Sequence, residues 1–229
     1  MTNVLVFLTS IFGGSIGLAV VAMTILVKII LLPFSYATTK SQIAMKKIQP
    51  LMEDLKKQYP NKEEQAKKMM ELYKEHNTNP LAGCLPLIIQ LPIIIALYQV
   101  FLQGTTVDAS VLYSFVHMPE NISNFFLGIN MTSKSAIIAI LAGVTQYIQL
   151  RFSPSMQKST NTPAVSKVGG DTVDMMENMQ KSMKYTLPIL ITVFAWAVPA
   201  AVALYWVVTN VFTIAQEWWI NKQLTKKTA

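Results

Sequence analysis

A single lysine, Lys28, stands inside the apolar run GSIGLAVVAMTILVKIILLPFSY, between Gly14 and Tyr36. A lone ammonium at the centre of a bilayer costs roughly 2.5–3.5 kcal/mol on insertion scales. Two readings of it are open. Its four-carbon stem can snorkel to the headgroups, roughly 12 Å away if the run ends at Tyr36. Alternatively, the cation faces a wet cavity and attracts negative charge. Thr24 falls one turn earlier on the same helical face. Further neutral polar residues interrupt other apolar runs: Gln90 and Gln99, then Gln146 and Gln149, then Thr209, Asn210 and Gln216. Each alone is explained by one interhelical hydrogen bond, worth about 0.6 kcal/mol on average. Together they crowd toward one end of the third and fifth runs, which suggests a hydrated recess open on one side. The runs hold no Asp, Glu or His ahead of Glu217, so Lys28 is expected to lack an acidic partner.

Covalent chemistry has no visible engine. The chain carries no phosphate-binding Gly-rich loop ending in Lys-Ser/Thr, no H-E-x-x-H and no G-x-S-x-G. The histidines, His76 and His117, are far apart, and the one cysteine, Cys84, sits in an apolar run. No ligand spacing for a metal and no cofactor motif emerges, so the expectation is a protein that is not an enzyme and takes no small-molecule substrate.

The elements that must position these residues are helices. Only 14% of the 229 residues are charged and 52% are hydrophobic, against about 25% charged in ordinary soluble domains. The charges are clustered, leaving runs of bilayer-spanning length. Five are read: about 14–36, 81–102, 135–150, 183–198 and 201–219. The second contains Pro86 and Pro92 and is expected to be irregular. The last two meet at Pro199 with almost no loop, and each is near the lower length limit.

Residues 37–80 are different in kind, with nine lysines and six acids. Ile48, Leu51, Met52 and Leu55 form one helical stripe, and Met69, Met70 and Tyr73 another, separated by the turn signal Tyr59-Pro60-Asn61. That pattern predicts an antiparallel helical hairpin. Thirteen methionines, several on this hairpin and around residues 175–183, are flexible apolar packing groups first and adaptable contact groups second. Val4, Phe7, Leu8, Ile11 and Phe12 predict a short interfacial helix in residues 1–13, with no basic region of the signal-peptide kind.

Lys and Arg alternate low, high, low, high along the loops, and the tail 220–229 is basic. The positive-inside rule then puts the N-terminus outside and the hairpin and C-terminus in the cytoplasm, in agreement with an odd number of spans. The fold class is an all-α membrane protein: a transmembrane domain over 14–219, with hairpin 37–80 inserted between spans one and two. The net charge of +7 is explained by these loops without DNA, although the hairpin and tail could also meet ribosomal RNA or anionic lipid.

The segments TILVKIILLPFSYATTKSQIAMKKIQPLMEDL, NPLAGCLPLIIQLPIIIALYQVF, AGVTQYIQ and VPAAVALYWVVTN, in this order, resemble the YidC/Oxa/Alb membrane-insertase family, from about residue 15 to 219. The five-span form is similar to insertases of Gram-positive bacteria. The resemblance implies a multi-pass protein of the bacterial plasma membrane. It would act as an insertase and chaperone for nascent membrane-protein clients, in contact with lipid, either alone or beside the ribosome and the Sec translocon. It implies a hydrophilic groove open to the cytoplasm and closed on the outer side, whose basic residue draws in a client's short acidic tail without nucleotide hydrolysis. Lys28 matches that basic residue, where the family commonly has Arg. Gln149 and Trp206 match groove-lining positions, with Gln146 and Asn210 as neighbours. A small transporter or channel subunit and a passive assembly subunit are the competing readings, the former weakened by the lack of an inverted repeat or a second charged ring.

Overall fold

The computed structural model describes residues 2–76, 78, 85–102, 112–114, 116, 119, 121–153 and 171–226. Cys84, His117, residues 81–84 of the second predicted span and most of the loop after Arg151 lie outside them. The described residues form eight helices and one two-stranded ribbon: α1 (Thr2–Ile11), α2 (Ile16–Ile30), α3 (Leu32–Gln58), α4 (Lys62–Glu75), α5 (Leu85–Leu102), β1 (Phe125–Phe126), β2 (Ile129–Asn130), α6 (Ala136–Phe152), α7 (Asp171–Ala197) and α8 (Ala200–Lys226).

The first apolar run is not one straight helix. It breaks at Leu31, and α2 and α3 meet at 63°. Pro33 sits at the start of α3, where its missing N–H and fixed φ are tolerated. Among the described residues no single helix is long and apolar enough to cross a membrane, and this bent pair is the one combination that is. Two boundaries move outward from the sequence reading. Residues 171–182, placed in a loop, are helical within α7, and α8 runs past Trp219 to Lys226. Apolarity marks where a helix can lie in lipid, whereas backbone hydrogen bonding continues through polar turns beyond it. The Pro92 and Pro50 positions are both absorbed inside helices.

α8 is the axis of the bundle, packed against α2, α6, α3, α5 and α7. Its first turns, Ala200, Ala201, Val202 and Ala203, are buried to 1% exposure or less. Small side chains let helices approach closely where lipid supplies no hydrophobic drive between them. The same logic holds at Gly143 of α6, where a Cβ would lie 1.8 Å from Thr192 Oγ1 of α7. The apolar core joins Ile16, Ala19, Val20 and Met23 of α2 to Ile138, Ala139 and Ala142 of α6, and to Ala195 and Leu204 of α7 and α8. The opposite faces of these helices are also apolar. Leu18, Ile25, Leu26 and Ile29 on α2, and Ile189, Leu190, Val193 and Trp196 on α7, are exposed. Helices apolar on all sides belong in a hydrocarbon medium.

At the end where α2 and α8 begin, the chain folds over the bundle. Gly14, at φ +86°, accepts at its carbonyl from Ser123 N (2.9 Å), and Ile16 N donates back to Ser123 O (3.3 Å). The β1–β2 ribbon turns through Leu127 and Gly128, both at positive φ, the geometry of a two-residue hairpin turn. Ala200 N and Ala201 N, unpaired within their own helix, donate to Ser133 O (2.8 Å) and Met131 O (2.9 Å). Met131 itself is fully buried. This ribbon and an isolated parallel bridge between Ser15 and Ser123 are the departures from an all-helical fold among the described residues.

α3 and α4 are joined through Tyr59–Asn61 and pack on one another. Asn61 caps α4 by accepting from Glu63 N at 3.0 Å. The contact is small: Ile48, Leu72 and Tyr73 are buried, with Met45, Met52, Leu55 and Met69 against them. Burial raises the pKa of the Tyr73 phenol. On the outer face Lys68 donates to Glu71 at 2.6 Å, which raises the lysine pKa. An exposed pair of this kind contributes little to stability.

Candidate functional site

The polar residues inside the bundle collect on one face of α8. Trp206, Asn210, Thr213 and Glu217 follow one another at spacings of four, three and four, which lines them along a single helical stripe. α2 and α6 supply the facing groups. Lys28 Nζ donates to Thr213 Oγ1 at 3.0 Å, joining residues 185 positions apart, and Thr213 Oγ1 in turn donates to Thr209 O at 2.7 Å. On the other side, Trp206 Nε1 donates to Gln146 Oε1 at 2.9 Å, and Gln146 Nε2 donates to Gln149 Oε1 at 3.2 Å. Asn210 Nδ2 donates to Thr145 Oγ1 at 3.2 Å and to Ala142 O at 3.4 Å.

Lys28, Gln146, Gln149, Trp206 and Asn210 are thus drawn into one seam between α2, α6 and α8. Gln146 and Asn210 are buried in it, while Lys28, Gln149 and Trp206 are half-buried. Thr24 is placed differently. It is 1% exposed, and its hydroxyl donates to Val20 O of its own helix at 2.6 Å, which occupies the proton locally. Thr24 packs beneath Lys28 and offers the seam at most an acceptor. Gln90 of α5 reaches α8 separately, donating to Tyr205 Oη at 2.8 Å.

The expectation that Lys28 has no acidic partner leaves out one acid nearby. Glu217 is 9% exposed on α8, one turn beyond the Thr213 that accepts from Lys28, and so lines the same seam without a direct ion pair. Ser153, which ends α6, donates from Oγ to Glu217 Oε1 at 3.3 Å. Gln149 lies within reach of the same carboxylate, although Oε2 makes no hydrogen bond of good geometry. The sequence reading names Glu217 only as the first acid in the apolar runs and gives it no role. Its spacing from Asn210 and Thr213 was the signal that could have found it. Among the described residues no cluster of His, Cys, Asp or Glu could hold a metal ion. An apolar groove between α6 and α7, lined by Ile140, Gly143, Tyr147, Tyr185 and Pro188, contains none of the polar seam residues.

A charged and amide-lined seam inside helices that are apolar on their outer faces defines the protein's chemistry, and residues 7–227 match the family described as the 60Kd inner membrane protein. The chain belongs to this family, that of the YidC/Oxa/Alb insertases. With the family comes its place, embedded in the bacterial cell membrane. A protein of Oceanobacillus iheyensis named membrane protein insertase YidC is 32% identical over 232 residues, covering 99% of this chain and 81% of the relative. One of Halalkalibacterium halodurans, named membrane protein insertase YidC 1, is 29% identical over 223 residues, covering 95% and 74%. The Pelobacter propionicus relative named membrane protein insertase YidC is 32% identical over 215 residues, or 92% of this chain and 36% of its own length. This member of the family therefore spans most of the Bacillaceae relatives but about a third of the longer one.

Proposed function

We propose that this chain inserts membrane proteins and assists their folding. It moves short outer tails of nascent clients through the seam between α2, α6 and α8 and releases their apolar segments into lipid, without nucleotide hydrolysis. The observation that carries this reading is the Lys28–Thr213 contact beside the Gln146–Gln149–Trp206 network, a polar path inside an otherwise apolar bundle. Moving a polar tail across hydrocarbon is the difficult step. A hydrated recess shortens the apolar distance, and a cation lowers the cost for an acidic tail. Partition of a client span of about 20 apolar residues into the bilayer then supplies the drive.

The organisation that suits this role has five spans within 14–219, the N-terminus outside and the C-terminus in the cytoplasm. Segment 1–13 lies at the outer interface, where exposed Val4, Phe7, Ile11 and Phe12 suit the headgroup boundary. Hairpin 37–80 and tail 220–229 lie on the cytoplasmic side, available to the ribosome and the Sec translocon. The end closed by Gly14, Ser123 and the β1–β2 ribbon is then the outer end, and Lys28 lies toward the open one.

The test is complementation of a bacterium depleted of its own insertase, following translocation of a client with a short acidic outer tail. The parent chain is expected to restore translocation. Lys28→Ala is expected to reduce it by about tenfold or more, the effect of one uncompensated charge in a partly desolvated site. No rescue by a well-expressed, correctly oriented parent defeats the reading. Equal rescue by both keeps the insertase and reduces Lys28 to a snorkelling residue.

A further inference from the structure

Glu217 has no part in the function just described, yet it stands one turn along α8 from Thr213, which accepts from the groove cation. A carboxylate 9% exposed, in a bundle with apolar outer faces, is costly unless hydrogen bonds and an opposite charge compensate it. Ser153 supplies the hydrogen bond to Oε1. Lys28 supplies the charge, from its seat on Thr213 one turn earlier along α8. The cation is therefore tethered to a neutral hydroxyl and balanced by an anion that does not hold it directly. An isolated ammonium attracts an acidic group with a full unit charge. An ammonium with a carboxylate close by presents a dipole, whose field is weaker and falls faster with distance.

We propose that Glu217 is the counter-charge that sets the client selectivity of Lys28. An acidic tail must compete with Glu217 for Lys28, and a tail bearing an ammonium or guanidinium can pair with Glu217 itself. The seam then accepts outer tails of either sign and discriminates weakly between them. This inference rests on the insertase reading.

The experiment uses the purified full chain in vesicles of phosphatidylethanolamine and phosphatidylglycerol. Three single-span clients differ only in one outer-tail residue, which is Asp, Asn or Lys. Protease protection of the tail gives the Asp-to-Asn and Lys-to-Asn insertion ratios. Glu217→Gln is expected to raise the Asp-to-Asn ratio about three- to tenfold and to lower the Lys-to-Asn ratio. Lys28→Ala leaves the carboxylate alone and is expected to move both ratios the opposite way. A structural role for Glu217 lowers insertion of all three clients alike, and that outcome in both variants overturns the proposal. If Glu217→Gln does not accumulate, an unmoved Lys-to-Asn ratio in Lys28→Ala overturns it alone. A parent that inserts no client above empty vesicles defeats the insertase reading and this inference together, whereas an active parent with unmoved ratios in the variants defeats only the counter-charge.

Discussion

The two ends of the bundle are built on opposite principles. Where α2 and α8 begin, backbone meets backbone: Gly14 against Asn121 and Ser123, Ala200 and Ala201 against Ser133 and Met131, with Met131 fully buried. Further along the same helices, side chains meet through single polar contacts: Lys28 with Thr213, Trp206 with Gln146, Asn210 with Thr145. Among the described residues the first end is held by backbone hydrogen bonds and a close glycine approach. The second keeps several polar groups half-exposed, each held by a contact that water or a client's peptide could replace at little cost. One helix, α8, carries both, so a rigid seal and an exchangeable polar surface are coupled within a single element. That asymmetry suits the one-sided passage for polar tails proposed above.

The difference implies that damage at the sealed end should appear as lost stability, and damage along the seam as altered client handling. Met131→Ala has the largest expected cost, about 2–5 kcal/mol for truncating a fully buried side chain. Thermal unfolding in detergent measures it, and the Asp-to-Asn client ratio should stay at the parent value. Gly14→Ala should cost about 1–3 kcal/mol through overpacking, because its Cβ would fall 1.8 Å from Asn121 O at a backbone φ of +86°. A wild-type melting temperature for this variant breaks the picture of a rigid seal. Trp206→Phe keeps the ring and removes the Nε1 donor to Gln146, so its stability cost should be smallest, about 0.5–1.5 kcal/mol. Its effect should instead show in client crosslinking to Gln149, released from part of its network. A large stability loss with unchanged crosslinking would make the seam an ordinary packed interface.

Much of this protein was legible before any coordinates. Long runs poor in charge could only be helices in or against a membrane, because a lipid-exposed backbone must satisfy its own hydrogen bonds. The motifs around Lys28, Asn79–Cys84 and Tyr205–Asn210 carried the family. Of the stripes read from the 3.6-residue period, Ile48, Met52, Leu55, Met69 and Tyr73 meet between α3 and α4, whereas Leu51 and Met70 are exposed. The bend at Leu31 was less accessible, since Pro33 is equally at home in a turn or in a first helical turn. The continuation of α7 and α8 into polar sequence was hidden because hydropathy reports the solvent of a segment and not its hydrogen bonds.

What sequence alone determined is the set of groups: a cation deep in the first apolar run, a handful of amides and hydroxyls and one late carboxylate, spread over apolar helices. Tertiary structure alone decided which of them meet. Lys28 and Thr213 are 185 residues apart, and Trp206 and Gln146 are 60, separations at which no local periodicity constrains contact. Helix packing set the partners instead. The small residues at the start of α8 and Gly143 on α6 let three helices close on one another. That packing placed Lys28 on Thr213, the hydroxyl one turn along α8 from Glu217.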